Sequence, residues 1–427
     1  MSIKLTNKNY CATIVKITKL IDLDNCDNVI HANIFGNLVV VSKDTKVDDV
    51  GIFFPVECKL SDEYLSKNNL FRHSEKNEDV TRVGYFEDNG RIKAVKFRGN
   101  TSNGLFMPLS SLDFLKTKEN LCLGSEFNEI DNVNICEKYV VKRRESSGQN
   151  SAKSKEKLES KVIDGQFNLH YDTEQLGKFT RLVKPDSLIS ITSKFHGTSA
   201  VVSNALVKKQ LNIFEKLLKF LKVNIVDTEY NMLYSSRRVI KNEFFKAKET
   251  SGFYDEDIWG ITANKIYPFI SKGMSIYYEI VGFTPSGQQI QKDYDYGCEP
   301  NQHEIYIYRI TNTNADGIVH EFSAKQVQEW CENNGFKSVV ELYYGYAKDL
   351  FSDIAQDKDF GDTFVDKLRE KYLEKQCTVC KNKVPNEGIV LRVDELGSRA
   401  LKLKSFAFLQ KETKDLDKGN VDMEEEN

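Results

Sequence analysis

The stretch Lys194-Phe195-His196-Gly197-Thr198-Ser199 lies between two apolar runs, Ser187–Phe195 and Thr198–Leu206. Both runs are rich in β-branched residues and short enough to be strands, so the pair predicts two strands joined at a glycine turn. A lysine that ends one strand beside such a turn can be aimed into a pocket over the strand end. The glycine lets backbone come close to a ligand there. Alone, these residues describe a surface lysine beside a hairpin, and four residues of this kind arise by chance.

The chain downstream of the turn gives it a meaning. Tyr234-Ser235-Ser236-Arg237-Arg238 comes next, then Tyr277-Tyr278-Glu279-Ile280-Val281-Gly282 and Ile305-Tyr306-Ile307-Tyr308-Arg309-Ile310. Asn386-Glu387-Gly388-Ile389-Val390-Leu391-Arg392 and Leu401-Lys402-Leu403-Lys404-Ser405 complete the series. Apolar patterning places these pieces on strands over Met274–Phe283, Glu304–Thr311, Asn386–Asp394 and Arg399–Leu403. The period of two puts Lys402 and Lys404 on one face, and likewise Tyr306 and Tyr308, while Arg238 points away from Arg237. Helical patterning covers Leu211–Val223, Ser323–Asn333 with Ser323 as N-cap, and Asp362–Glu374. The basic amphipathic stretch Leu211–Val223 reads as packing or an inserted surface helix in preference to a membrane element. Gly282 and Gly287 have the spacing of P-loop glycines, but Gln288-Gln289 stand where Lys and Ser/Thr are needed, so a P-loop is excluded. No G-x-G-x-x-G, nucleophile elbow or H-E-x-x-H occurs.

Upstream, the runs Tyr10–Leu20, Ala32–Lys43, Val50–Val56, Arg91–Phe97 and Gly104–Leu109 are punctuated by Gly, Asn and Asp. Five short strands in this length predict a small all-β barrel of the OB type. Arg91-Ile92-Lys93-Ala94-Val95-Lys96-Phe97-Arg98 alternates charged and apolar residues. It reads either as a half-buried strand with a solvated face or as a cationic strand on a nucleic-acid groove. Residues 142–161 are polar, Ser/Lys-rich and free of aromatics, as in a flexible linker, and residues 411–427 read as an acidic disordered tail. The expected modules are therefore 1–141 and 162–410.

Composition sets outer bounds. The chain has 427 residues, 40% of them hydrophobic and 29% charged, enough for two or three globular domains. Sixty Lys+Arg against 63 Asp+Glu give a net charge of -3, so any basic surface must be local. No apolar run approaches the roughly 18 residues of a membrane helix. The opening MSIKLTNKNY has no signal-peptide core, and nine scattered cysteines read as reduced thiols, so an intracellular, cytoplasmic protein is expected. Cys377-x-x-Cys380 offers two ligands where a structural zinc site takes four, and Cys298 and His303 could complete such a site only through folding.

In order and character, the series from Lys194 to Lys404 resembles motifs I, Ia, III, IIIa, IV and V of the covalent nucleotidyltransferases. These are the ATP-dependent RNA ligases, DNA ligases and mRNA capping enzymes. The resemblance covers residues 185–408. His196 followed by Gly197-Thr198, and the later Gln289-Ile290-Gln291-Lys292, are similar to the duplex-sealing phage-type RNA ligases. Ala12–Ile17, Phe54-Pro55-Val56-Glu57 and the segment from Val95 to Leu105 look like the RNA ligase clade with an N-terminal OB domain. DNA ligases and capping enzymes usually carry that module after motif V, where only about 20 residues remain here.

The resemblance implies an α+β protein: an all-β OB-like barrel followed by a nucleotidyltransferase domain of antiparallel sheets and helices. It implies an ATP-dependent RNA ligase acting in RNA repair. A lysine would take AMP from ATP, AMP would pass to an RNA 5′-phosphate, and a 3′-hydroxyl would displace it. Lys194 would be the nucleophile. A free lysine has a pKa of about 10.4, so nearby cations such as Lys402 and Lys404 are needed to lower it. Both would also meet charge on the α-phosphate. Arg237 would bind phosphate or ribose, Glu279 the ribose hydroxyls, His196 the phosphates or Lys194, and Tyr308, with Tyr306 as fallback, would stack on adenine. Glu387 would hold Mg²⁺ or Mn²⁺. The implied partner is RNA with 3′-OH and 5′-phosphate ends, nicked duplex included, with no membrane and no obligate protein partner. A DNA ligase, a capping-type enzyme and a nucleic-acid-binding protein with a dead ligase fold are the rival readings.

Overall fold

The computed structural model describes residues 2–23, 26–115, 121–141, 161–241, 254, 256–395 and 399–419. Near the N-terminus, alternation of apolar residues builds β1 (Ala12–Lys16), β2 (Val29–Ile34), β3 (Asn37–Ser42), β4 (Val50–Phe54), β5 (Leu105–Pro108) and β6 (Glu126–Phe127). They form an antiparallel sheet in the order β5-β4-β1-β6, and β2 and β3 pair as a hairpin beside it. Strands β1, β4 and β6 turn Ile14, Ile52, Phe54 and Phe127 onto a core that Tyr64 of the helix Asp62–Lys67 completes.

Two sequence expectations change here. The run Ala32–Lys43 is two strands, because Phe35 and Gly36 both take positive φ (53° and 72°) and close a two-residue turn between Ile34 and Asn37. The run Arg91–Phe97 is a strand only at Val95–Phe97, which is exposed and pairs with Asn100–Ser102. Arg91 is buried, so it does not lie on an open groove.

The second half carries, in chain order, β7 (Leu188–Lys194), β8 (Thr198–Lys208), α1 (Ile213–Phe220), β9 (Thr228–Ser235), α2 (Ile258–Ile266), β10 (Met274–Gly282), β11 (His303–Thr313), β12 (Val319–Glu321), α3 (Ala324–Asn334), β13 (Glu341–Tyr346), α4 (Phe360–Tyr372), β14 (Gly388–Val393), β15 (Arg399–Lys404) and α5 (Phe406–Asp417). Strands β9-β8-β10-β11-β12 make one antiparallel sheet, extended beyond β9 by Ile240–Lys241. Strands β15-β14-β7-β13 make another, which Glu174–Gln175 joins in parallel beside β15. Helices α2 and α3 cover the first sheet through Trp259, Ile266, Val327 and Cys331. Helix α4 covers the second through Phe364, Val365 and Leu368. Ser323 caps α3 in a full capping box with Gln326, as its sequence position predicts.

Helix α1 stands at the tip of the β8–β9 hairpin. Its apolar face is open: Ile213 is 89% exposed, Phe214 67% and Phe220 82%. It is thus an inserted surface helix and is not packed. The expected linker lies outside the described residues except for Lys161, which is buried and accepts a hydrogen bond from the Lys208 backbone through its carbonyl. The expected tail is corrected over residues 411–417, which continue α5. Among the described residues, no helix is long and apolar enough to cross a membrane.

Helix α5 is pinned to the N-terminal strands by a buried charge pair. Arg91 donates through Nε and Nη2 to the two carboxylate oxygens of Glu57 at 2.7 Å each, and through Nη1 to Asp417 at 3.0 Å. Thr413 of α5 donates to Glu57 at 3.0 Å. Glu57 itself takes a left-handed φ of 65°, which this network holds in place. On the other side the Phe35-Gly36 turn presses on Gly177, where any Cβ would fall 1.8 Å from the Phe35 carbonyl oxygen. Lys178 then reaches Glu126 at 2.6 Å.

Removing Arg91 leaves the Glu57 carboxylate buried and without its cation, which typically costs about 3–5 kcal/mol. Arg91→Met is expected to lower the urea midpoint accordingly, and adding Glu57→Leu should recover part of the loss. An unchanged midpoint in the single variant would show that the pair does not hold the two halves together.

Candidate active site

The two sheets of the C-terminal half face each other across a cleft lined by Lys194, Ser199, Arg237, Glu279, Tyr308, Glu387, Lys402 and Lys404. Strand pairing puts the charged groups there. Lys194 on β7 lies opposite Gly388 at the start of β14, and Gly388 lies opposite Lys404 on β15. Glu387 is therefore carried between the two lysines. Its Oε1 lies 2.8 Å from Lys194 Nζ and 3.8 Å from Lys404 Nζ. Its Oε2 is buried with no hydrogen-bond partner. Gly388 has to be glycine, because a Cβ would stand 2.1 Å from the Leu403 carbonyl oxygen.

Alternation along β15 sends Lys402 to the same cleft, where it is buried. Burial, and then the ammonium groups of Lys404 and Lys194, push its pKa down to about 7. Lys404 is shared with Glu412 of α5 at 3.2 Å.

The glycine turn is built by its neighbours. Gly197 N–H donates to Glu279 Oε1 and Ser199 Oγ to Glu279 Oε2, each at 3.0 Å. Gln291 Nε2 donates to the Gly197 carbonyl at 2.8 Å. A Cβ at Gly197 would lie 2.3 Å from the Ile280 carbonyl oxygen. The glycine thus admits strand β10 alongside it, which is a different reason from the ligand approach expected at this turn.

Other expected positions divide. Arg237 lines the cleft and pairs with Asp172; burial pushes the Asp172 carboxyl up, and the Arg237 guanidinium more than reverses this. Arg238 is exposed, but both arginines lie in a bend after β9 ends at Ser235, so strand alternation does not set this. Tyr308 lines the cleft with its hydroxyl 2.8 Å from His170 Nδ1. Tyr306 does not share that place. The β10–β11 register shifts at Tyr277/Tyr278, leaving Tyr308 as the extra residue of a bulge, and Tyr306 packs on Phe195 in a separate core. His196 is also elsewhere. Its ring meets Tyr294 and Phe408 edge-on, and its backbone N–H donates to the Tyr296 hydroxyl at 2.6 Å. The structure therefore does not bring His196 to the cleft wall.

Residues not singled out in the sequence join the wall. His170, Tyr171 and Asp172 enter just after the expected linker, and Arg309 stacks over Tyr171 and Tyr277 while pairing with Glu321. Tyr10 enters from the N-terminal half. A His-Tyr-Asp cluster at a module's start is the one available signal, and no periodicity marks it. Cys377 and Cys380 are half-buried free thiols hydrogen-bonded to each other, and the Cys380 thiol lowers the pKa of Cys377. Among the described residues, no three His, Cys, Asp or Glu side chains gather as a metal site.

Residues 11–109 match a family model described as an OB-fold domain. Solved structures of Naegleria gruberi RNA ligase are similar over nearly the whole chain. An apo variant is 14% identical, covering 96% of this chain and 100% of that one, with a TM-score of 0.57. A variant with ATP and Mn is 14% identical over 94% and 98%, with a TM-score of 0.58. A form with pyrophosphate is 15% identical over 96% and 100%, with a TM-score of 0.57. The chain has the RNA ligase fold. It is α+β, an OB-fold module followed by a nucleotidyltransferase module of antiparallel sheets and helices, as the sequence predicts. No curated protein matches it.

The buried Lys402 gives a test of the cleft's electrostatics. Unfolded, its amine stays protonated to about pH 10.4. Folded, it loses its proton near pH 7. Between these values unfolding takes up a proton, so this group's stability cost is full below pH 7 and fades as pH rises. Lys402→Met should raise Tm by ~5 °C at pH 6 and by little at pH 10. An equal shift at both pH values would exclude a depressed pKa.

Proposed function

We propose that this protein is an ATP-dependent RNA ligase that joins 3′-OH and 5′-phosphate ends through a lysyl-AMP intermediate, in RNA repair. The carrying observation is Lys194 at 2.8 Å from Glu387 in a cleft that also holds Lys402, Lys404, Arg237 and Glu279. The RNA ligase fold supports the same reading.

In the first step, Lys194 Nζ attacks the α-phosphorus of ATP. A P–N bond forms, the α–β phosphoanhydride bond breaks, and pyrophosphate leaves with the electron pair. Lys194 must first shed a proton. The crowding of three lysines disfavours the fully protonated set; at Lys402 it adds to burial in lowering the pKa. Lys402 and Lys404 then face the charge growing on the α-phosphate. Arg237, anchored by Asp172, offers its planar fork to phosphate or ribose. Glu279 orders the Gly197 turn and keeps lone pairs for ribose hydroxyls. Tyr308, fixed by His170, presents an aromatic face to adenine.

A divalent ion suits the cleft in one respect: Glu387 Oε2 is a buried carboxylate oxygen without a partner. Glu387 would hold Mg²⁺ or Mn²⁺ together with phosphate oxygens, and such an ion would offset phosphate charge. In the later steps an RNA 5′-phosphate oxygen displaces Lys194 from AMP. The 3′-hydroxyl then attacks that 5′-phosphate, AMP leaves, and the phosphodiester is sealed.

Purified protein mixed with α-labelled ATP and magnesium should carry label through a denaturing gel. Lys194→Ala should carry none, and α-labelled GTP should label neither. Labelled Lys194→Ala would remove Lys194 as the nucleophile. Labelling by GTP alone would favour the capping-type reading. No label with either nucleotide or with manganese would leave a nucleic-acid-binding protein with a dead ligase fold. RNA nicks against DNA nicks then separate the two ligase classes.

A further inference from the structure

A second cavity lies where the OB module meets the nucleotidyltransferase module. Phe35, Phe53, Asn37 and Asn103 come from the first, and Gln175 and Arg369 from the second. Tyr10, Lys404 and Glu412 line this cavity and the adenylylation cleft alike, so the two spaces adjoin.

Two of its lining residues carry a buried polar atom with no hydrogen-bond partner: Nε of Arg369, a donor, and Oδ1 of Asn103, an acceptor. Native interiors satisfy nearly all such atoms, so two orphans among the lining residues of one cavity mark a polar site left incomplete in the empty protein. Arg369 is pressed against the Phe35-Gly36 turn, where a Cβ on Gly36 would lie 3.1 Å from its Nε. The nearby acids are engaged elsewhere. Asp366 accepts from Asn33, and Glu374 accepts from the Phe406 and Ala407 backbone. Among the described residues, no carboxylate pairs with Arg369. Burial pushes its pKa down to about 10, so at pH 7 it is a desolvated cation. The other charges in the wall are matched: Glu57 by Arg91, Lys178 by Glu126, and Lys404 by Glu387 and Glu412.

We propose that this cavity binds one nucleotide of the RNA strand whose end reaches the cleft, with its phosphate on Arg369 and its base or ribose on Asn103. The proposal rests on the RNA ligase reading. A guanidinium suits a phosphate, and a side-chain amide suits a base edge. The shared wall sets the bound nucleotide beside Lys404, so a strand anchored here would run directly to the lysine cluster.

The test uses the full chain and a nicked RNA duplex carrying 4-thiouridine at the nucleotide on either side of the nick. After near-ultraviolet irradiation, the attached peptide should contain Tyr10, Phe35 to Asn37, Asn103 or Arg369. Attachment only elsewhere would overturn the proposal. In parallel, Arg369→Met and Asn103→Leu should bind the nicked RNA about tenfold more weakly while labelling with ATP stays within about twofold of wild type. Wild-type affinity in both variants would overturn it too. Competition by free AMP or inorganic phosphate at the crosslink, with no loss of RNA affinity in the variants, would mean a mononucleotide or anion site and no strand anchor. If a variant fails to fold, the wild-type crosslink still decides. Crosslinking without ATP labelling would sink the ligase reading and keep the cavity; labelling without crosslinking would do the reverse.

Discussion

One buried carboxylate holds the cleft together. Glu387 sits between Lys194 and Lys404, with Lys402 buried close by. Three cations in a low-dielectric cleft repel one another, and Glu387, with Glu412 on Lys404, only partly offsets that repulsion. Burial is the first cause of the depressed pKa of Lys402, and the neighbouring ammonium groups add to it. Holding the buried Lys402 beside two other lysines costs stability in the empty protein. Any anion bound there by the folded state alone would return that stability.

The geometry behind this charge cluster is backbone geometry. Three neighbouring strands bring Lys194, Gly388 and Lys404 into register, and Gly388 lets the strands close over the place where Glu387 emerges. Gly197 does the same on the other sheet, where Glu279 and Gln291 hold the turn that comes after Lys194. Side chains that look like separate features in the chain are thus fixed by a few close backbone approaches.

Much of this is legible in the sequence, because alternation by two is a local property. It places β7, β8, β10, β11, β14 and β15, and it puts Lys402 and Lys404 on one face. It fails wherever a non-local contact sets the outcome. A bulge opposite Tyr277/Tyr278 separates Tyr306 from Tyr308, and no pattern within the strand reveals it. His196 lies two residues from Lys194, yet aromatic packing against Tyr294 and Phe408 takes its ring. Arg91 has the spacing of a cationic face, but Glu57 and α5, over 300 residues away along the chain, draw it inside. Phe35-Gly36 lacks the Asn-Gly or Asp-Gly signature of a two-residue turn, so the hairpin reads as one strand.

These non-local contacts join the two modules through one short piece of chain. Strand β15 delivers Lys402 and Lys404 to the cleft and runs straight into α5. Within α5, Glu412 pairs with Lys404, while Thr413 and Asp417 bind the Glu57–Arg91 pair of the OB module. Lys404 therefore has one carboxylate in the cleft and another on the helix that carries the OB module.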